Sequence, residues 1–282
     1  SREFKGNYYY NGRFFINDGQ TFLIEASSTS SLNSAYIKNG GHGTLLSRLD
    51  NFDVSTTEGA QVKVSQGTVI DLYTGEAFTA MPDELDGTLN RIEKHTPSQR
   101  VVSLTSPSAR SNQMGHQGLA IQYVGTQRKF WVCAGYSTLT TKGLKLNRIQ
   151  WDGVEGSSFT NVEEFQIFPS TKSDGVITAV VTGNANSAGV SPNNQILVSH
   201  CAYYIKNTGQ WQNFIRVFDT SVFDDGAGDY SNKYLYEFPV ARFAGNTIQA
   251  TATDGKFVYV LIAESTVEKS CTVLVYTLDG AL

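Results

Sequence analysis

A chain of 282 residues with 17% charged and 12% aromatic side chains, against about 25% charged in an ordinary soluble chain, must present a largely uncharged polar surface. The 22 basic and 26 acidic residues leave a net charge of −4, which removes the attraction on which phosphate-backbone binding depends, so nucleic acid is not an expected partner. No apolar run reaches the ~18 residues of a membrane-spanning helix, so no membrane insertion is expected, and the three cysteines (Cys133, Cys201, Cys271) are too few for a disulfide framework.

In chain order, residues 4–10 form a Tyr-rich strand with neither a signal-like apolar stretch nor an initiator Met nearby, as in an excised or processed module. Strands at 13–17 and 21–26 follow across Gly19, and a first copy of a repeat closes near Asn39-Gly40. A second copy has strands at 62–65, 68–73, 89–95 and 101–105, with Gly67 in its first turn and residues 82–86 as a possible helical turn. The third copy places strands at 118–124, 130–134, 146–152 and 163–168, and its Leu146-Asn147-Arg148-Ile149 echoes Leu89-Asn90-Arg91-Ile92. The fourth has strands at 177–182, 196–202, 215–219 and 233–240 with polar insertions at 184–194 and 224–232, and the fifth has strands at 248–253, 257–263 and 275–279. Glycines at 125, 183 and 255 supply the positive φ of tight hairpin turns.

Four antiparallel strands recurring every ~60 residues cannot hide both faces of an isolated sheet, and stacking such sheets radially does. The expected fold is all-β: one five-bladed β-propeller domain over 1–282, with blades at about 11–50, 60–106, 117–169, 176–240 and 247–282. The N-terminal strand at 4–10 is expected to close the last blade, tying the ring together.

Residues just ahead of each first strand converge on one mouth of a propeller's channel. They are Asn11 and Arg13, Glu58 and Gln61, His116 and Gln117, Ser173 and Asp174, and Asn246 and Thr247. Amides, hydroxyls, one imidazole and few charges suit hydrogen bonding to a neutral polyol such as a sugar, whose apolar face also stacks on flat rings. Tyr8, Tyr9, Tyr10, Tyr136, Tyr230 and above all Trp211, which follows a loop, are the stacking candidates, whereas Trp131 and Trp151 sit in strands as core residues. The glycines around His116 leave it exposed, while His200 lies inside an apolar strand as a core residue. Asp152, Asp219 and Asp279 close equivalent strands and are expected to cap turns. Glycoside cleavage needs two carboxylates flanking one bond; Glu58 and Asp174 are the available pair, but Asn11, His116 and Asn246 stand where further acids would be wanted. Asp224, Asp225 and Asp229 around two glycines are a calcium candidate that matches no complete calcium-loop pattern, and a solvated loop is the alternative. No other cofactor is implied: dinucleotide and Walker fingerprints, a nucleophile elbow and zinc motifs are missing from the sequence.

The run His116-Gln117-Gly118-Leu119-Ala120-Ile121, followed by Phe130-Trp131-Val132-Cys133-Ala134 and Leu146-Asn147-Arg148-Ile149, with His-Gly turns at 42 and 116, resembles the five-bladed propeller modules of phage tail receptor-binding proteins (tail fibres or tailspikes) and related bacterial surface-glycan-binding propellers. The resemblance implies adhesion to a cell-surface glycan, an extracellular or virion-tail location, and a homotrimer formed through flanking segments of a longer protein. A polysaccharide-cleaving propeller and a structural platform in a larger assembly are the alternatives.

Overall fold

The computed structural model describes residues 7–10, 13–17, 21–26, 43–49, 67–71, 73–74, 76–82, 90–95, 108–111, 114–115, 118–134, 144–154, 159–169, 177–178, 187–205, 210–240, 247–263 and 271–281, the strands at 7–10, 13–17, 21–26, 43–49, 108–111 and 177–178 and some residues near other strand ends through their backbone alone. These residues form five sheets. The first runs β1 (Asn7–Tyr10), β2 (Arg13–Asn17), β3 (Thr21–Ala26), β4 (Gly43–Leu49), and the second β5 (Gly67–Ile70), β6 (Ala77–Pro82), β7 (Asn90–His95), β8 (Ser108–Ser111). The third runs β9 (Leu119–Val124), β10 (Gln127–Cys133), β11 (Lys145–Gln150), β12 (Thr160–Gln166). In the fourth, β13 (Ile177–Thr178) and β14 (Ala188–Val190) both pair with β15 (Ile196–Ile205), which is followed by β16 (Gln210–Asp219). A 3-10 turn at Thr220–Phe223 then leads to β17 (Gly228–Asp229), which crosses to pair in parallel with β12 before β18 (Tyr236–Val240) closes the fourth sheet. The fifth is β19 (Thr247–Thr253), β20 (Phe257–Ala263) and β21 (Cys271–Thr277).

The innermost strands meet in a closed circuit: β1 touches β5, β5 touches β9, β9 touches β14, β14 touches β19, and β19 returns to β1. Small residues permit this convergence. A Cβ on Gly67 would lie 2.8 Å from the Gly118 carbonyl carbon, and one on Gly189 would lie 2.7 Å from Ala252 Cα. Gly118 is held at φ +74° with the position of its missing Cβ 2.6 Å from Ser187 Cβ, so both its backbone conformation and its neighbour require glycine.

Three cores among the described residues lie between two sheets each. Val69, Phe78 and Ile92 meet Leu119, Phe130, Val132 and Ile149; Trp131 and Phe165 face Val190, Leu197 and Phe218; and Val198, Ile215 and Phe238 meet Ile248, Val260 and Leu274. The period-2 alternation explains this, since Phe130 and Val132 turn to one neighbouring sheet and Trp131, between them, to the other. Both faces of a sheet are therefore apolar, and Trp131 and Trp151 are buried as expected. Buried arginines bind the sheets to one another at repeat-equivalent positions. Arg148 and Arg216 pair with Glu163 and Glu237 on the adjacent strand, at 2.8 Å and 2.6 Å. Each also donates to a backbone carbonyl of a neighbouring sheet or its connection, Phe223 and Ile167 respectively.

Strand assignments in the third and fifth copies hold; in the fourth, the innermost strand is β14, within the expected polar insertion at 184–194, and β17 falls within the one at 224–232; the first two copies are displaced by one strand. The N-terminal strand does not close the last sheet: β1 pairs with β2 in register Tyr10↔Arg13 and opens the first sheet. Only Asn11 and Gly12 separate those partners, and Asn-Gly is the pair that two-residue hairpins favour. Gly67 is not a turn residue but the first residue of β5, and residues 77–82, left unassigned by the sequence pattern, form its second strand. The possible helical turn at 82–86 and the strands expected at 62–65 and 101–105 fall outside the described residues, apart from Pro82 at the end of β6.

Candidate functional site

The best-formed site among the described residues lies at the mouth where the innermost strands end. Asp71 directly follows β5 and is fully buried. Its Oδ1 accepts from the Tyr73 amide at 2.9 Å, and its Oδ2 accepts from the Tyr123 hydroxyl and from Arg128 Nη1, both at 2.7 Å. Arg128, at the start of β10, also donates to Glu76 Oε2 at 2.8 Å and lies over the Phe78 ring at 4.5 Å, while Lys94 Nζ reaches Glu76 Oε1 at 3.4 Å. Burial alone would raise the Asp71 carboxyl, but the bonds from Arg128, Tyr123 and the Tyr73 amide outweigh it and hold the group below the usual aspartate value. Glu76 is likewise lowered against its burial by Arg128 and Lys94. Burial and the bond to Asp71 push the Tyr123 phenol up to about 12.

One carboxylate thus anchors two aromatic residues, Tyr73 through its backbone and Tyr123 through its hydroxyl. Their rings meet edge to face with centroids 4.5 Å apart, and Tyr73 is 70% exposed. They form one side of a shallow, solvent-open cleft whose other walls are Ile70, Ile121, Val190, Ser191, Pro192 and Asn194. The cleft draws on the ends of β5, β9 and β14 and so joins three consecutive sheets. Asn194, at φ +60°, accepts from the Tyr123 amide through Oδ1 at 2.9 Å. Ser191 Oγ donates to Asn193 Oδ1 at 2.6 Å and accepts from the Ile196 amide at 2.9 Å. An exposed ring beside a half-buried aliphatic floor and an amide can hold the apolar face of a small polar ligand.

This is the opposite mouth from the one indicated by the sequence, and none of the cleft residues was singled out beforehand. Tyr73 closed an expected strand at 68–73; the turn chemistry of Asp71-Leu72-Tyr73-Thr74-Gly75 is the signal that marks it as a loop residue instead. Asn11, Glu58, His116, Gln117, Asp174 and Asn246 lie outside the described residues. Arg13 begins β2, paired with Tyr10 at the end of β1, so its backbone stands at the mouth where innermost strands end. Trp211 lies in β16 with Tyr204 as its strand partner. Tyr230 is not a stacking platform, being buried among Phe165 and Phe223 with its hydroxyl donating to the Gly226 carbonyl at 2.7 Å.

Asp224, Asp225 and Asp229 do not converge as a calcium site. Asp224 ends the 3-10 turn and Asp229 accepts from the Ser231 amide at 2.9 Å, and no group of three His, Cys, Asp or Glu side chains placed to hold a metal ion occurs among the described residues. The turn-capping reading of the strand-closing aspartates holds: Asp152 accepts from the Val154 amide and Asp219 from the Ser221 amide, each at 2.9 Å, and Asp279 accepts from the Thr277 hydroxyl. His200 is a core residue, with Nδ1 2.9 Å from Ser187 Oγ, and burial depresses its pKa to about 3. Ser187 Oγ in turn lies 2.9 Å from Thr251 Oγ1 of the fifth sheet.

No protein-family profile matches the chain, and no curated protein is a significant match by sequence. Solved structures do match. An endo-arabinase from Bacteroides thetaiotaomicron superposes with a TM-score of 0.50 at 8% identity, covering 100% of this chain and 96% of the enzyme. An exo-β-1,3-galactanase from Phanerochaete chrysosporium, solved with galactose, gives 0.50 at 9% identity over 97% of this chain and 60% of its own. The tail fibre of Staphylococcus aureus phage P68 gives 0.48 at 16% identity over 78% of this chain and 38% of the fibre. The chain therefore spans less than two thirds of the length of the last two. With the radial sheets described above, the first two likenesses show the fold: the chain is a β-propeller.

Proposed function

We propose that this chain is a five-bladed carbohydrate-binding propeller that adheres to a cell-surface glycan through the cleft bounded by Tyr73 and Tyr123. The observation that carries the reading is Tyr73 itself: a ring 70% exposed stands at the rim of a partly apolar cleft where it can stack on a ligand's apolar face, and its turn is fixed in advance by a buried ion pair. The blade motifs around Gly118, Trp131 and Arg148, with their resemblance to tail receptor-binding modules, support a place in a phage tail fibre or tailspike outside the host cell. There, trimerisation through flanking segments would convert weak single-site binding into avidity. Asp71 and Glu76, the carboxylates beside the cleft, are held ionised, the opposite of the proton donor that glycoside cleavage requires.

A glycan-array screen of the chain followed by titration of the best binder against Tyr73→Ala tests the proposal. Binding that weakens about tenfold in the variant, with no release of reducing sugar by the parent, is the expected result. Turnover that disappears in Glu58→Gln and Asp174→Asn would establish a hydrolase instead.

A further inference from the structure

The lining of the cleft narrows the ligand further, on the footing of the carbohydrate reading above. No ionised side chain is among its walls as the described residues form them. Asp71, Arg128, Glu76 and Lys94 beside it are two of each sign and are paired with one another. Its hydrogen-bonding capacity is also largely spent: the Tyr123 hydroxyl donates to Asp71, Ser191 Oγ bonds Asn193 and two backbone amides, and Asn194 Oδ1 takes the Tyr123 amide. What remains is the Asn194 amide NH2 as a donor, the Tyr73 hydroxyl at the exposed rim, the Tyr73 ring as a platform, and a floor of Ile70, Ile121 and Val190, contributed by three innermost strands. A plain hexose set into such a floor would bury hydroxyls with few groups to bond, which is unfavourable, and an anionic sugar would lose hydration against walls that themselves carry no cation.

We infer that the cleft takes an uncharged sugar by a methyl-terminated substituent, with the methyl on the Ile70, Ile121 and Val190 floor and the pyranose face on Tyr73. The methyl can be the C6 methyl of a 6-deoxy hexose or the acyl methyl of an acetylated amino sugar, where the Asn194 amide would also donate to the acyl oxygen.

Saturation-transfer NMR and titration calorimetry on the intact chain with L-fucose, L-galactose, N-acetylglucosamine, glucose and glucuronate separate these cases. At least one methyl-bearing probe should bind roughly tenfold tighter than its unsubstituted counterpart, with the strongest saturation on its methyl protons; whether fucose or N-acetylglucosamine does so identifies the substituent. Ile121→Thr and Ile70→Thr should erase that preference while leaving weak binding, whereas Tyr73→Ala should weaken every probe. Equal affinity for substituted and plain hexoses, or a preference unchanged in both threonine variants, overturns the inference and leaves the carbohydrate reading intact. Binding of no probe or array glycan, or binding indifferent to Tyr73→Ala, removes both.

Discussion

Acidification should loosen the contacts between sheets through one residue. His200 is 1% exposed, and its ring accepts or donates only within the protein, with Ser187 Oγ 2.9 Å away. An unfolded histidine takes up a proton near pH 6.5, whereas burial keeps the folded one neutral down to about 3. The unfolded state therefore binds more protons across that window, so the stability contributed by neutral His200 is complete above about pH 6.5 and declines as the pH falls. Between about pH 7 and about pH 5 the linkage relation gives a loss of about 2 kcal/mol, and the loss grows toward pH 3. The consequence spreads, because Ser187 packs on Gly118 of the third sheet and bonds Thr251 of the fifth. Urea unfolding of the parent and of His200→Gln at both pH values measures it. The variant keeps a side chain able to bond Ser187 but cannot titrate, and should lose about 2 kcal/mol less than the parent. Equal losses in the two proteins would refute the reasoning.

Asp71→Asn, which leaves Arg128 with Glu76 as its remaining ionised partner, should cost about 2 to 3 kcal/mol and shift the fluorescence of the Tyr73–Tyr123 pair; Tyr123→Phe, which removes one hydrogen bond, should cost about 1 kcal/mol. Because Asp71 is lowered below the usual aspartate value, its contribution should be complete above about pH 4 and lost only below it, as acid unfolding of the parent against Asp71→Asn would show. Gly118→Ala must place a methyl 2.6 Å from Ser187 Cβ at φ +74° and should lower the midpoint of denaturation by the equivalent of roughly 2 kcal/mol or more. Tyr73→Ala should leave the midpoint within about 0.5 kcal/mol of the parent, its ring being exposed, so that a loss of ligand binding in that variant reports the cleft and not the fold.

Repetition was legible in the residues. Asn90-Arg91-Ile92 and Asn147-Arg148-Ile149 do occupy equivalent third strands, β7 and β11, and the buried Arg148–Glu163 pairing gives the echo a physical cause. The phase of the first two copies was not legible. Any run of strands and turns with period-2 alternation can be divided into fours at different points, and the division is settled by which strand lies at the axis. That depends on contacts such as Gly67 against Gly118, between residues about 50 positions apart in the chain, which local pattern does not encode. The displaced phase also places Arg13, expected ahead of a first strand, at the opening of a second one.

Composition, alternation and repeat spacing were sufficient to determine an all-β chain of radially stacked sheets with little surface charge, because burial on both faces leaves a periodic record along each strand. Which mouth carries the cleft was decided by the tertiary structure alone. Tyr73, Ile121 and Val190 come from three different sheets, and the carboxylate that sets the first in place is satisfied by an arginine from the next sheet. Proximity of that kind arises only when the ring closes, since nothing in the neighbourhood of any one of these residues along the chain distinguishes it from an ordinary strand end.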